Sequence, residues 1–188
     1  MTKWILGSGS PRRKELLAGI GVEFTIRTKD TEEVYPSTLT PQDVPLFLAE
    51  LKAKALLPDL VENETVICAD TVVILNGEII GKPVDKADAI SMLQRLSGQT
   101  HEVVTGVFIG NKHKQLLQSD STMVTFTTLT ADEIANYVDR YQPFDKAGSY
   151  GVQEWLGYVA VEKLVGSYTN VMGLPTHVVY KMIRDWSN

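Results

Sequence analysis

The sequence predicts a mixed α/β protein, a twisted mixed sheet flanked by helices. Strand-like and helix-like segments alternate along the whole chain, the pattern of helices packed on a sheet. Hairpin signals are interleaved with that alternation, so the sheet is mixed and not purely parallel. Finally, 44% of the 188 residues are hydrophobic and 22% are charged, which suffices for a real core and excludes disorder.

Trp4-Ile5-Leu6 reads as a first strand, followed by the small-residue loop Gly7-Ser8-Gly9-Ser10. Pro11 suits a first helical position, with Arg12 to Leu17 as the helix and Gly19 or Gly21 as its stop. Val22 to Arg27 resembles a second strand, and the polar, proline-containing stretch Thr28 to Pro45 reads as loop. Leu46 to Leu57 carries apolar residues at helical spacing and ends before Pro58. Thr65 to Leu75 is a β-branched run closed by Asn76-Gly77, a strong hairpin signal because both turn positions require positive φ. Asp85 caps a helix from Lys86 to Leu96 that ends at Gly98. Glu102 to Ile109 and Thr122 to Leu129 read as strands paired across Gly110-Asn111-Lys112. Thr130 caps a helix to about Arg140, Gln142 to Gln153 is loop, a strand lies near Tyr158 to Lys163, and Pro175 opens a last helix to about Trp186.

The length fits one domain, residues 1–188, or two small lobes around a shared cleft. Lys plus Arg total 18 against 23 Asp plus Glu, a formal charge of −5 that disfavours nucleic acid as a partner. An anionic ligand therefore needs a local cluster of positive groups or a metal. A single cysteine, Cys68, excludes an internal disulfide and a cysteine-built zinc site. No apolar run approaches a membrane span and no signal peptide opens the sequence, so the expectation is a soluble cytoplasmic protein with no membrane partner.

Three segments carry chemistry. Ser8-Gly9-Ser10-Pro11-Arg12-Arg13 lies at a strand-to-helix junction, where small residues allow close backbone approach. There first-turn amides face outward and two guanidiniums can fork onto phosphate oxygens. Standing alone it would read nearly as well as a tight turn with two solvated arginines. Asp70-Thr71 interrupts the most apolar strand, where a carboxylate is costly unless paired, hydrogen-bonded or metal-bound. Gly81-Lys82-Pro83, beyond the hairpin, can return an ammonium towards the same face. Asp145 to Gln153 is a glycine-containing loop whose Gln153 offers a donor and an acceptor to a base edge. Glu32 and Glu33 are adjacent, so in extended geometry they point opposite ways and only one faces a cleft. The three histidines form no metal or catalytic pattern, and Cys68 reads as core packing.

Taken together, these segments resemble the Maf family of nucleotide pyrophosphatases. The supporting stretches include Ser8-Gly9-Ser10-Pro11-Arg12-Arg13, Glu33, Lys52-Ala53, Ala69-Asp70-Thr71-Val72-Val73 and Gly81-Lys82-Pro83. Also included are Leu96 to His101, Val104-Thr105-Gly106-Val107, Asp145-Lys146-Ala147-Gly148, Tyr150-Gly151-Val152-Gln153 and Gly166 to Pro175. The resemblance implies an α/β, Maf/ITPase-like fold with a deep central cleft between two lobes and a homodimer. It implies hydrolysis of a nucleoside triphosphate to monophosphate and pyrophosphate with a divalent metal, Mg²⁺ or Mn²⁺. The Asp145 to Gln153 loop follows the dTTP/UTP branch and not the 7-methyl-GTP branch. By the same resemblance Asp70 is the catalytic acceptor, and Arg12, Thr71 and Gln153 bear on base choice. One departure is Glu154-Trp155, where the family usually has glycine after the glutamine.

The expected mechanism follows. Asp70 accepts the water proton or holds the metal that activates the water, and Glu33 adds a metal contact. Arg12, Arg13, Lys52 and Lys82 clamp the phosphates, with Lys82 counted in the catalytic set. Ser8 and Ser10 bind phosphate oxygens with the helix amides, and Thr71 and Gln153 face the pyrimidine. The competing readings are the same chemistry on another base, such as 7-methyl-GTP, or a nucleotide-binding regulator of septum formation with little catalysis.

Overall fold

The computed structural model describes residues 2–186. In chain order the elements are β1 (Lys3–Leu6), α1 (Pro11–Gly19), β2 (Phe24–Ile26), α2 (Val44–Leu56), β3 (Glu64–Leu75), β4 (Glu78–Ile80), α3 (Lys86–Leu96) and β5 (Thr100–Gly110). They continue with β6 (Gln115–Phe126), α4 (Ala131–Tyr141), α5 (Trp155–Ala160), β7 (Val161–Val165), α6 (Tyr168–Val171) and α7 (Thr176–Trp186). The strands form one seven-stranded sheet in the order β2-β1-β3-β5-β6-β7, with β4 paired to β3. β1 runs parallel to both β2 and β3, whereas β4 and β7 join antiparallel, so the sheet is mixed as expected. No helix among the described residues is long and apolar enough to cross a membrane.

The chain divides into two compact units. The first comprises Met1–Thr71, Thr105–Asp120 and Gly173–Asn188, and the second Val72–Val104 and Ser121–Met172. In the first unit, alternation along the strands sorts side chains to two faces. Leu6, Ile67, Ala69, Val107 and Ile109 pack with Leu17 of α1 and with Val178, Val179 and Met182 of α7. Ile5, Val66, Cys68 and Phe108 take the other face, against Ala49, Ala53 and Leu56 of α2. Gly106 belongs to that second face, and a Cβ there would overlap the backbone of Leu46, so only glycine lets α2 begin so close to the sheet.

The second unit has one core, built from Val73, Leu75 and Ile80, from α3 and α4, and from Val103, Val124, Phe126 and Leu156. Its local signals act as the sequence predicts. Asn76 and Gly77 both have positive φ in the β3–β4 hairpin, Asp85 caps α3 by accepting from Asp88 N–H at 2.8 Å, and Thr130 with Glu133 forms a capping box on α4.

Two segments differ from expectation. β6 begins at Gln115 instead of Thr122, and residues 127–129 lie outside it. The added stretch, Gln115 to Ser121, is polar and mostly exposed. Ladder pairing in the sheet holds it extended, without the apolar alternation that sequence reading requires. Residues 127–129 bend back onto Ser97-Gly98, with Leu129 N–H donating to Ser97 Oγ at 2.7 Å. Similarly, Trp155–Ala160 is helix and the strand follows it at Val161–Val165. Gly157 N–H bonds back to Glu154 O at 2.9 Å and opens that helical turn, which aromatic and β-branched residues had disguised as strand.

Candidate active site

Residue parity along β3 decides what Asp70 and Thr71 meet. Asp70 continues the Val66–Cys68 face, which α2 covers, and its carboxylate is bonded by the Lys52 ammonium of that helix. The contact engages Oδ1. Asp70 is only 8% exposed. Lys52 also pairs with Glu33 at 2.8 Å, and Glu33 is the more exposed carboxylate. One ammonium therefore bridges two acidic groups from distant parts of the sequence. Of the adjacent pair, it is Glu33 that joins the cluster.

Thr71 takes the opposite parity, facing α1 and the segment before α7. Its hydroxyl receives Arg13 Nη2 at 3.1 Å and shares a hydrogen bond with Thr105 Oγ1 at 2.9 Å. Arg13 Nε donates to Gly173 O at 2.8 Å, and Nη1 reaches Ser8 Oγ at 3.4 Å. The guanidinium is thereby fixed on three sides. Burial lowers its pKa from the ordinary value, the Asp70 carboxylate pulls it back up, and Arg12 lowers it again. Arg13 remains cationic throughout this range.

The start of α1 completes the group. Gly7 is indispensable there, because a Cβ would fall 2.9 Å from Leu56 Cδ1 and closer still to Cys68 Sγ. Ser8 is buried, and its Oγ accepts from Ser10 N–H at 3.2 Å. Ser10 is the extended N-cap residue, its side chain makes no capping bond, and Pro11 follows it. The first turn of α1 brings the positive end of the helix dipole to this group. Arg12 is half-buried on this turn. Ser8 to Arg13 follow the carboxyl end of β1, and Asp70 and Thr71 lie on β3 just past the end of its parallel pairing with β1.

Burial pushes the Cys68 thiol up to about 12, with Lys52 and Arg13 opposing, which agrees with a packing role. Among the described residues no group of three His, Cys, Asp or Glu side chains is placed to hold a metal ion. Mg²⁺, however, is commonly held by one or two carboxylates and takes its other oxygens from phosphates and water. Asp70 and Glu33, gathered at one ammonium, fit that donor set.

In the second unit, Gly148 N–H donates to Gly81 O at 3.0 Å, joining the Gly81-Lys82-Pro83 segment to the Asp145–Gln153 loop. Lys82 is exposed there. Gly148 has φ +69° and faces Val73, where a Cβ would press the valine at 3.0 Å. Lys146 is buried, pairing with Asp145 at 2.9 Å and with Glu154 at 3.2 Å. Gln153 is half-buried, and its Oε1 is buried with no hydrogen-bond partner among the described residues. Sequence reading assigned nothing to Thr105, Lys146, Glu154 or Tyr137. Thr105 meets Thr71 from the neighbouring strand β5, a pairing that no local pattern gives. For the other three, only the folded chain reveals their meeting.

The Maf-like protein family model matches residues 3–186. The chain belongs to the Maf family. A relative from Porphyromonas gingivalis named dTTP/UTP pyrophosphatase is 49% identical, over 98% of this Maf chain and 94% of the relative. Another protein of that name, from Flavobacterium psychrophilum, is 50% identical over 95% and 92%. Among solved structures, a HAM1 protein from Coxiella burnetii superposes with a TM-score of 0.54 at 14% identity, covering 98% of this chain and all (100%) of that one. The Staphylococcus aureus Ham1 protein gives 0.50 at 18% identity over 66% and 72%. At such identities the likeness concerns the fold alone, and it agrees with the α/β architecture read from sequence.

Proposed function

We propose that this Maf protein hydrolyses dTTP and UTP to the monophosphates and pyrophosphate with a divalent metal, Mg²⁺ or Mn²⁺. The observation that carries the reading is a buried carboxylate, Asp70, held by Lys52 in the same unit as the Arg13 guanidinium and the donor-bearing start of α1. The names of the two relatives support the choice of substrate.

Cleavage between the α and β phosphorus needs an aligned water and neutralisation of the departing pyrophosphate. Asp70 takes the water proton at its carboxylate, a reading supported by the Lys52 contact engaging Oδ1 alone. Lys52, which pairs with both Asp70 and Glu33, orders the two carboxylates as well as meeting the phosphates. Ser8, Ser10, Arg12, Arg13 and the α1 amides bind phosphate oxygens, and Lys82 adds a further ammonium. A bound Mg²⁺ or Mn²⁺, held by Asp70 and Glu33, would supply charge neutralisation of the polyphosphate and acidification of water. Arg12, Thr71 and Gln153 bear on the base, Thr71 through its fixed hydroxyl and Gln153 through its amide. The same reading has the protein acting as a cytoplasmic homodimer.

The test is pyrophosphate release from a panel of dTTP, UTP, CTP and 7-methyl-GTP with Mg²⁺. Turnover of dTTP and UTP above the others is expected, and Asp70→Asn should remove at least ~10²–10³-fold in kcat while nucleotide binding persists. Equal turnover by Asp70→Asn ends the catalytic assignment. Binding without turnover by the wild type would favour the regulator.

A further inference from the structure

Gln153 is an odd reader of a base, because its side-chain carbonyl is buried with no partner of its own to aim it. Something else must hold it. The backbone around it forms a turn from Gly151 to Glu154, closed by Glu154 N–H donating to Gly151 O at 3.0 Å. The Glu154 side chain folds back over this turn, and a Cβ on Gly151 would lie 2.8 Å from Glu154 Cδ.

Both oxygens of that carboxylate are engaged. Oε1 takes the buried Lys146 ammonium at 3.2 Å, and Oε2 takes the Tyr137 hydroxyl of α4. Tyr137 in turn accepts Gly151 N–H at 3.0 Å. A closed relay results, from Gly151 N–H to the Tyr137 hydroxyl to Glu154, pinned by Lys146 at the far side. Burial, then the Glu154 bond, raises the Tyr137 phenol well above its usual range, so it stays a donor. The relay grips the turn on both flanks of Gln153.

We propose that Glu154 is a positioning residue which, with Tyr137 and Lys146, fixes the Gln153 carbonyl to accept an imide N–H from the base. This rests on the base-reading role given to Gln153 above. A desolvated acceptor favours a ligand bearing an N–H and disfavours one lacking it, because the carbonyl would otherwise stay unpaired. Uracil and thymine carry that N–H at N3. Glutamate at position 154 is thus the means by which this chain stiffens the turn.

The test compares UTP with N3-methyl-UTP, which lacks the N–H, in the wild type, Glu154→Gln, Tyr137→Phe, Gln153→Ala and the double variant Gln153→Ala/Glu154→Gln. The wild type should prefer UTP by about 10²-fold in kcat/KM. Glu154→Gln should cut that preference about tenfold, with a rise in KM for UTP larger than any change in kcat. Tyr137→Phe should act in the same direction, and it reads the relay independently should Glu154→Gln fold poorly. In the Gln153→Ala background, Glu154→Gln should change the preference by less than about twofold, since it acts through the missing amide. Multiplying effects in the double variant would overturn the proposal. So would wild-type preference in Glu154→Gln and Tyr137→Phe while Gln153→Ala loses it. If Gln153→Ala itself keeps the wild-type preference, the base-reading role falls and the positioning role falls with it.

Discussion

Each unit of the molecule holds an ammonium between two carboxylates, one sheltered and one exposed. In the first, Lys52 lies between Asp70 and Glu33, with side chains 11% and 45% exposed. In the second, Lys146 lies between Glu154 and Asp145, at 18% and 59%. The clusters are alike in composition and differ in what surrounds them. Glu154 has both oxygens engaged, by Lys146 and by a phenol that also caps a backbone amide. Asp70 is bonded by Lys52 through one oxygen, and a second cation, Arg13, lies close enough to feel its charge. A carboxylate with every acceptor site engaged braces a structure, whereas one with an oxygen in reserve can still accept a hydrogen bond or meet a cation. Ion-pair count does not separate these cases; the second oxygen does.

The largest expected effect tests this contrast directly. Lys52→Met leaves Asp70 and Glu33 facing each other without their shared cation, and kcat should fall by ~10²–10³. Lys146→Met instead strands the sheltered Glu154, and the loss should fall on stability, about 2–4 kcal/mol by denaturant titration. Should both variants lose mainly stability, the two clusters are equivalent and the contrast is void.

Next in size is a pH effect confined to the second unit. His101 is 1% exposed, its Nε2 lies 2.7 Å from the Tyr150 hydroxyl, and burial lowers its pKa from 6.5 to about 4. Its folded value lies below the unfolded one, so the unfolded chain binds the extra proton between those limits. This contribution to stability is present in full above pH 6.5 and lost as the pH falls towards 4, about 3 kcal/mol in all. Thermal unfolding of the wild type and His101→Asn between pH 7.5 and 4.5 should show a steeper decline in the wild type. Parallel curves would remove His101 as the cause.

The smallest effect sharpens the picture of the first unit. Arg13→Lys keeps the charge and loses the fork that joins Ser8, Thr71 and Gly173. Turnover should drop about tenfold, with about 1 kcal/mol of stability lost for the broken bonds. Unchanged kinetics would show that charge alone matters at this position.

Legibility in the sequence followed the range of the forces involved. Caps at Asp85 and Thr130, the Asn76-Gly77 turn and the Pro11 helix start are settled within a few residues, and they appear where the sequence predicts them. Asp70 stood out because a carboxylate in an apolar run demands a partner. Which cation answers was not legible: the sequence offered Lys82, and Lys52 came to notice as its partner only when the register of β3 turned Asp70 towards α2. β6 was misjudged because pairing in the sheet, absent from any local pattern, keeps Gln115 to Ser121 extended. Glu154 stood out only as a departure from a family pattern, and its partners Tyr137 and Lys146 gave no sign of meeting it.

Composition, local propensity and motif order were enough for the α/β class, the main run of elements and the family, because these depend on neighbours along the chain. The pairing of Lys52 with Asp70, the fixing of Arg13 by Gly173 and the brace around Gln153 came only with folding. Each joins residues distant in sequence or on separate elements, and strand parity and helix packing decide which polar groups meet.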